Sequence, residues 1–241
     1  MKIHDIKLDH LQKMIDSSGK NTPTLRKIKV MLGLMYDYAV MHEIVNQDKR
    51  DMIRYININK AGNPNGFDRK PFTKKEIQKL WDNLESNKYI QIPLILIYSG
   101  IRIGEFRELK KEDVHLDEKY FYIREAKTES GIREVPIADK ILPFLKQWMN
   151  LNDCEYKFSN ASGNKFSDKN IRDAYWNPIM EQLNMNHRPH DTRHTCISLL
   201  TQAGIDERII KQIVGHKGQG VTQIVYTHVD LQSKLDAINS I

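Results

Sequence analysis

Tyr226 lies in "VGHKGQGVTQIVYTHV", ten residues after His216. A tyrosine hydroxyl, with an ordinary pKa near 10, attacks a substrate only where its surroundings activate it. Other residues whose types could do chemistry are Arg102 in "SGIRIGE" and the pair His190 and Arg193 in "RPHDTRHT". A guanidinium presents a planar fork that matches phosphate oxygens two at a time. Arg102 follows the apolar run "IPLILIYSG", where an unpaired charge is expensive. It therefore needs either an internal partner, Glu105 three residues on, or an external anion. His190 and Arg193 share a face of a helix read as starting near Asp191. The plainer alternative is a surface polar patch with a capping aspartate. His190 and His194 also have the spacing of zinc ligands on a helix. Against zinc, Asp191 stands where a metalloprotease helix carries glutamate, and Arg193 repels a cation. Lys127, in "AKTESGIREVPI", is either a solvated hairpin charge or a group that a hairpin carries into a groove.

Helices and one hairpin must position these groups. In "TPTLRKIKVMLGLMYDYAVMHEI" the residues Leu25, Ile28, Leu32, Met35 and Ala39 recur at helical steps, with Thr22 read as N-cap and Pro23 as the first helical residue. Arg26, Lys27 and Lys29 decorate this helix, and a shorter one, "IKLDHLQKMIDS", precedes it. "NINKAGNPNGFDRKP" is rich in Asn, Gly and Pro and reads as an interdomain linker. The second domain opens on a capping box, Thr73 with Glu76. Tyr120–Ala126 and Ile132–Ala138 alternate as strands around the polar turn "KTESG". Helices are expected over Asp139–Asn150, Asp168–Leu183, Asp191–Ala203, Asp206–Val214 and around Tyr226. The tail "LQSKLDAINSI" aligns Leu231, Leu235, Ile238 and Ile241, a face that must cover either its own domain or a neighbouring protomer. The expected fold is thus mainly α with a small antiparallel β-sheet, divided into a helical domain over 1–62, a linker over 63–70 and a larger domain over 71–241.

At 241 residues with 40% hydrophobic and 28% charged residues, the chain can bury a sizeable core in a water-soluble fold. No apolar run reaches membrane-spanning length, and the N-terminus carries no signal-peptide core. Cys154 and Cys196 lack metal-ligand spacing and read as free thiols of a reducing cytosol. The net charge of +6 is uneven: residues 1–62 hold 11 Lys/Arg against 7 Asp/Glu. A basic first quarter points to a polyanionic partner. "GHKGQG" lacks the phosphate-loop pattern and reads as a flexible turn.

Taken in order, "SGIRIGE", the hairpin lysine, "HDTRHT", "VGH" and "YTH" form a specific set, and over about residues 70–241 the chain resembles the tyrosine recombinases, the phage-type integrases. The resemblance implies that family's catalytic-domain fold, preceded by part of its helical core DNA-binding domain. Family members usually begin earlier, so an N-terminally incomplete or short member is expected. It implies Tyr226 as nucleophile toward a DNA phosphodiester, forming a 3′-phosphotyrosyl link. Arg102, Arg193 and His216 would hold the non-bridging oxygens, His190 would take the tyrosine proton and Lys127 would protonate the departing 5′-oxygen. Glu105 would orient a catalytic side chain, and Arg26, Lys27 and Lys29 would contact DNA, positioning phosphate rather than reading bases. No metal or other cofactor is implied. The implied partners are double-stranded DNA at a recombination site, sister protomers in a tetramer, and an accessory DNA-bending or directionality protein. The implied setting is cytoplasmic and nucleoid-associated, serving a mobile element or prophage, with no membrane. Rival readings are a type IB topoisomerase-like strand transferase, a DNA-binding accessory protein with a decayed site, and a helical zinc hydrolase.

Overall fold

The computed structural model describes residues 2–61, 70–124, 131–151, 154–215 and 229–241. The chain forms two compact units, Met1–Arg69 and Lys70–Ile241. The expected linker over 63–70 falls almost wholly outside the described residues.

The first unit comprises α1 (Leu8–Ser17), α2 (Thr22–Met41) and α3 (Gln47–Asp51), the last running into a 3₁₀ turn, Met52–Tyr55. Leu11, Ile15, Leu25, Leu32, Tyr36, Ala39 and Ile53 form its core. Two details differ from the sequence reading. The cap of α2 is Asn21, whose Oδ1 accepts the Thr24 N–H at 3.0 Å, and Thr22 is already helical. Asn and Thr are both good caps, so composition alone left the register one residue loose. Met35 is exposed and Tyr36 is buried in its place, because the inward stripe follows Leu25, Leu32, Tyr36 and Ala39. Asparagine also caps α3, where Asn46 accepts from the Lys49 N–H.

The second unit opens with α4 (Lys74–Asp82), whose Thr73–Glu76 capping box is closed in both directions. Next comes α5 (Gln91–Ile97), in which all seven residues are buried. An apolar segment with no polar face belongs at the centre of a core, and α5 packs against α10 there. Burying each of its Leu and Ile side chains stabilises the fold by roughly 1.5–3 kcal/mol. After α6 (Ile103–Glu108) the chain forms β1 (Val114–His115), β2 (Tyr120–Ile123) and β3 (Arg133–Pro136), an antiparallel sheet in the order β1-β2-β3. Phe121 pairs with Val135 and Ile123 with Arg133 on the inner face. β3 is shorter at both ends than the expected Ile132–Ala138, although the Ile137 N–H still donates to the Lys119 carbonyl at 2.8 Å. Residues 125–130 lie outside the described residues.

Then follow α7 (Leu142–Met149), α8 (Asp168–Asn170), a π-helical stretch (Ile171–Trp176) and α9 (Asn177–Gln182). The chain closes with α10 (Pro189–Gln202), α11 (Glu207–Val214) and α12 (Leu231–Asn239). Of the two alternatives for the tail, α12 takes the first: it packs on β3 and α11, with Ala237 and Ile238 in the core of its own unit. The short helix expected around Tyr226 falls outside the described residues. Among the described residues no helix is long and apolar enough to cross a membrane.

Candidate active site

The site is built around the first turns of α10. This helix begins at Pro189, two residues earlier than the sequence reading placed it, because proline at the first helical position forfeits no hydrogen bond. Asp191 works from the third position, its Oδ2 accepting the Arg188 N–H at 2.7 Å. The entry to α4 pins α10 from the side. Thr195 Oγ1 accepts the Phe72 N–H at 2.8 Å, and the His187 ring stacks on Phe72 while its Nε2 lies 3.1 Å from Glu76 Oε1. His190 sits exposed in the first turn, its ring edge-on to His194 at 4.9 Å between centroids. Among the described residues no group of three His, Cys, Asp or Glu side chains converges as metal ligands.

One turn further, Arg193 points inward and is only 1% exposed. Its Nη1 donates to the Gly100 carbonyl at 2.9 Å, while Nε and Nη2 have no hydrogen-bond partner among the described residues. Burial, reinforced by the Arg102 and Arg133 guanidiniums, pulls its pKa down to about 9. Gly100 has φ +66°, and a Cβ there would come within 3.0 Å of Cys196 Sγ and Val214 Cγ1. Only glycine makes this turn, which delivers Arg102 from the end of α5.

Arg102 differs from Arg193 in being 40% exposed. Its Nη1 donates to Glu105 Oε1 at 2.6 Å and its Nη2 to the Gly215 carbonyl at 3.3 Å. Glu105 Oε2 also accepts the Arg102 backbone N–H at 2.9 Å. The side chain of Glu105 is 7% exposed. Burial pushes its carboxyl upward, but Arg133 and then Arg102 outweigh this and hold it below the usual carboxylate range.

Arg133 is the residue that the sequence reading missed. Its Nη1 and Nη2 donate to the two Glu105 oxygens at 3.2 and 3.0 Å, and its Nε donates to the Ile213 carbonyl at 2.8 Å. A signal was available: strand alternation puts Arg133 on the same inward face as Val135, and a charge facing a core demands a partner. Gly215 ends α11 with φ +67°, and a Cβ there would meet the Arg133 guanidinium at 2.9–3.0 Å. Three guanidiniums therefore gather near Glu105, which is hydrogen-bonded to Arg102 and Arg133 and interacts with Arg193 only through its charge. Such a cluster is starved of anions.

The pattern that defines the phage integrase family matches residues 70–233. The chain belongs to this family. These are the tyrosine recombinases, DNA strand-transferring enzymes. Similar curated proteins include the tyrosine recombinase XerC-like of Caldanaerobacter subterraneus subsp. tengcongensis, 23% identical over 282 residues that cover 100% of this chain and 72% of that protein. Tyrosine recombinase XerA of Pyrococcus furiosus is 28% identical over 70% of this chain and 60% of its own length, so this phage integrase family member spans less than two thirds of that relative. Among solved structures, the Tn1549 transposon integrase in complex with a circular intermediate DNA superimposes with a TM-score of 0.76 at 17% identity, over 96% of this chain and 84% of that one. A lambda integrase tetramer bound to a Holliday junction gives 0.73 at 16% identity, over 95% and 68%. At these identities the structural likeness concerns the fold.

Of the residues singled out in sequence, the fold of this integrase family member brings Arg102, Glu105 and Arg193 together and sets His190 one turn before Arg193. Lys127, His216 and Tyr226 lie outside the described residues. In the first unit Arg26 and Lys27 are exposed, whereas Lys29 donates to the Arg54 and Ile56 carbonyls at 2.9 and 2.8 Å.

Proposed function

We propose that this chain is a site-specific DNA recombinase that cuts and rejoins strands through a covalent link on Tyr226. The observation that supports the reading is Arg193: a buried guanidinium with two nitrogens that have no hydrogen-bond partner among the described residues, in a cluster with Arg102 and Arg133 near Glu105. Leaving buried donors unsatisfied costs about 1–3 kcal/mol each. A phosphodiester entering between Arg102 and Arg193 supplies the missing acceptors and the missing charge.

In this mechanism the Tyr226 Oη attacks phosphorus in line with the 5′-oxygen. A P–Oη bond forms and the P–O5′ bond breaks, leaving a 3′-phosphotyrosyl ester and a free 5′-hydroxyl. His190 receives the phenolic proton and Lys127 protonates the departing oxygen. Arg102, Arg193 and His216 hold the non-bridging oxygens as their charge grows. The reverse attack by a 5′-hydroxyl from another duplex releases Tyr226 and completes the exchange. One phosphoester is traded for another, so no nucleotide cofactor is required, and the guanidiniums supply the charge stabilisation that a metal supplies in other strand transferases.

The first unit would serve as a helical core DNA-binding domain and the second as the catalytic domain. Arg26 and Lys27 would meet phosphates, while Lys29, engaged with backbone carbonyls, would support them. Exchange between two duplexes calls for a tetramer on the recombination site, as in the lambda integrase tetramer bound to a Holliday junction. Such activity fits integration or excision of a mobile element or prophage on nucleoid DNA, in the cytoplasm, with an accessory DNA-bending or directionality protein choosing the direction.

The test is a nicked suicide duplex that traps the link. Wild-type protein is expected to form an SDS-resistant adduct, and Tyr226→Phe none, with duplex affinity retained. An adduct that survives in Tyr226→Phe would overturn the reading. Strand exchange between two duplexes, rather than plasmid relaxation alone, marks a recombinase and not a topoisomerase.

A further inference from the structure

Arg102 is the one exposed guanidinium of the cluster, and its direction is not set by its own backbone alone. Its side chain is stretched between Glu105 and the Gly215 carbonyl. Both anchors are themselves held by Arg133. The guanidinium of Arg133 clamps both oxygens of Glu105, and its Nε grips the Ile213 carbonyl two residues before Gly215. The clamp is buried, with both side chains 7% exposed, so water does not compete for these bonds. Its closeness to the chain is enforced by Gly215, where any side chain would collide with the guanidinium. Arg133 is built to hold protein groups: four of its five N–H donors go to Glu105, Ile213 and Gly131, and its side chain is 7% exposed.

We infer that Arg133 is a positioning residue, a buried clamp that aims Arg102 by fixing both Glu105 and the end of α11. The inference rests on the reading of Arg102 as a phosphate-binding group. A lysine at this position can meet one Glu105 oxygen, but not both oxygens and the Ile213 carbonyl in one plane. The clamp also determines where the charge goes. With Arg133 present, Glu105 is shared and Arg102 keeps positive charge to offer; with Arg133 removed, Glu105 belongs to Arg102 alone and neutralises it.

The experiment compares wild-type protein with Arg133→Lys and with the double variant Arg133→Met/Glu105→Gln, which removes the buried pair together and so guards against a simple folding defect. Native far-UV circular dichroism is required of each. In single-turnover cleavage at saturating duplex, Arg133→Lys is expected to lower the rate about 10- to 100-fold, the effect of a small misplacement of a catalytic group. Duplex affinity should change less than about threefold, because phosphate contacts elsewhere dominate binding. A rate within threefold of wild type, or a loss confined to affinity, would overturn the inference.

A second arm needs no DNA. Nitrogen-15 spectra of the arginine side chains should show the Arg102 guanidinium rotating slowly in wild type and freely in Arg133→Lys. An Arg102 signal unchanged by the substitution would overturn the clamp even if cleavage were slowed. Absence of a covalent adduct in wild type would instead overturn the proposed recombinase activity, and this spectroscopic arm would still decide whether Arg133 aims Arg102.

Discussion

Arg193 is a guanidinium only 1% exposed in the second unit. Its Nε and Nη2 groups meet no hydrogen-bond acceptor among the described residues, and the neighbouring guanidiniums add repulsion to its burial. Arg193→Lys keeps the charge but loses the planar fork, and removing one such transition-state donor is expected to slow cleavage about 10²- to 10³-fold. Single-turnover trapping on the suicide duplex measures this. Thermal unfolding of the same variant without DNA should show little loss, since the native guanidinium is itself poorly satisfied. Lys157 provides a contrast in the same unit. Also buried, it donates its Nζ to the Leu145 carbonyl, and burial pulls its pKa down to about 7. Between about 7 and its ordinary value of 10.5 the unfolded chain holds more protons than the folded one, so stability rises with pH through that window. Lys157→Met should remove this rise and increase stability at pH 7, by a few kcal/mol at most. Denaturant melts at pH 7 and pH 10 check both statements. At this scale the sequence was informative for pairs close in the chain: Arg102 with Glu105, or Thr73 with Glu76, follow from helical spacing. Arg193 with Gly100 does not, because 93 residues separate them and only the packing of α5 on α10 joins them.

Among the elements, the longer helices were legible where an apolar stripe or a cap marked them, whereas the short α3 and α6 were not anticipated despite their caps. The cap of α2 slipped by one because Asn21 and Thr22 compete for the role. Two elements left no usable mark: β1 is only two residues long, and the π-helical stretch Ile171–Trp176 keeps an ordinary helical composition. The tail posed a different problem, since an amphipathic helix states that it must be covered but not by what. In the structure α12 covers its own unit, with Ile238 fully buried. Ile238→Ala should therefore destabilise the free protein by about 2–5 kcal/mol, as for other large-to-small core changes. Calorimetry without DNA is the check, and an unchanged melting temperature would show that α12 does not hold this core together.

At the scale of the whole molecule, the division into two units shows in the charge of the sequence as well as in its contacts. The basic balance sits in the first quarter, and the motifs proposed to be catalytic sit in the remainder. If the first unit contributes phosphate contacts, DNA affinity falls steeply with salt, and replacing Arg26 and Lys27 by alanine should reduce the slope of log affinity against log salt by about two. Fluorescence anisotropy over a salt series gives that slope, and an unchanged value would move the first unit away from the DNA backbone. Cleavage within the bound complex should be almost unaffected, because neither residue belongs to the second unit.

The proposed reaction leaves a phosphotyrosyl ester at one named residue, Tyr226. Digesting the trapped adduct with protease and nuclease, then sequencing the modified peptide by tandem mass spectrometry, reads it directly. A nucleotide is expected on Tyr226, joined through its 3′-phosphate, with a free 5′-hydroxyl on the released strand. A linkage on any other side chain, or through a 5′-phosphate, would contradict it.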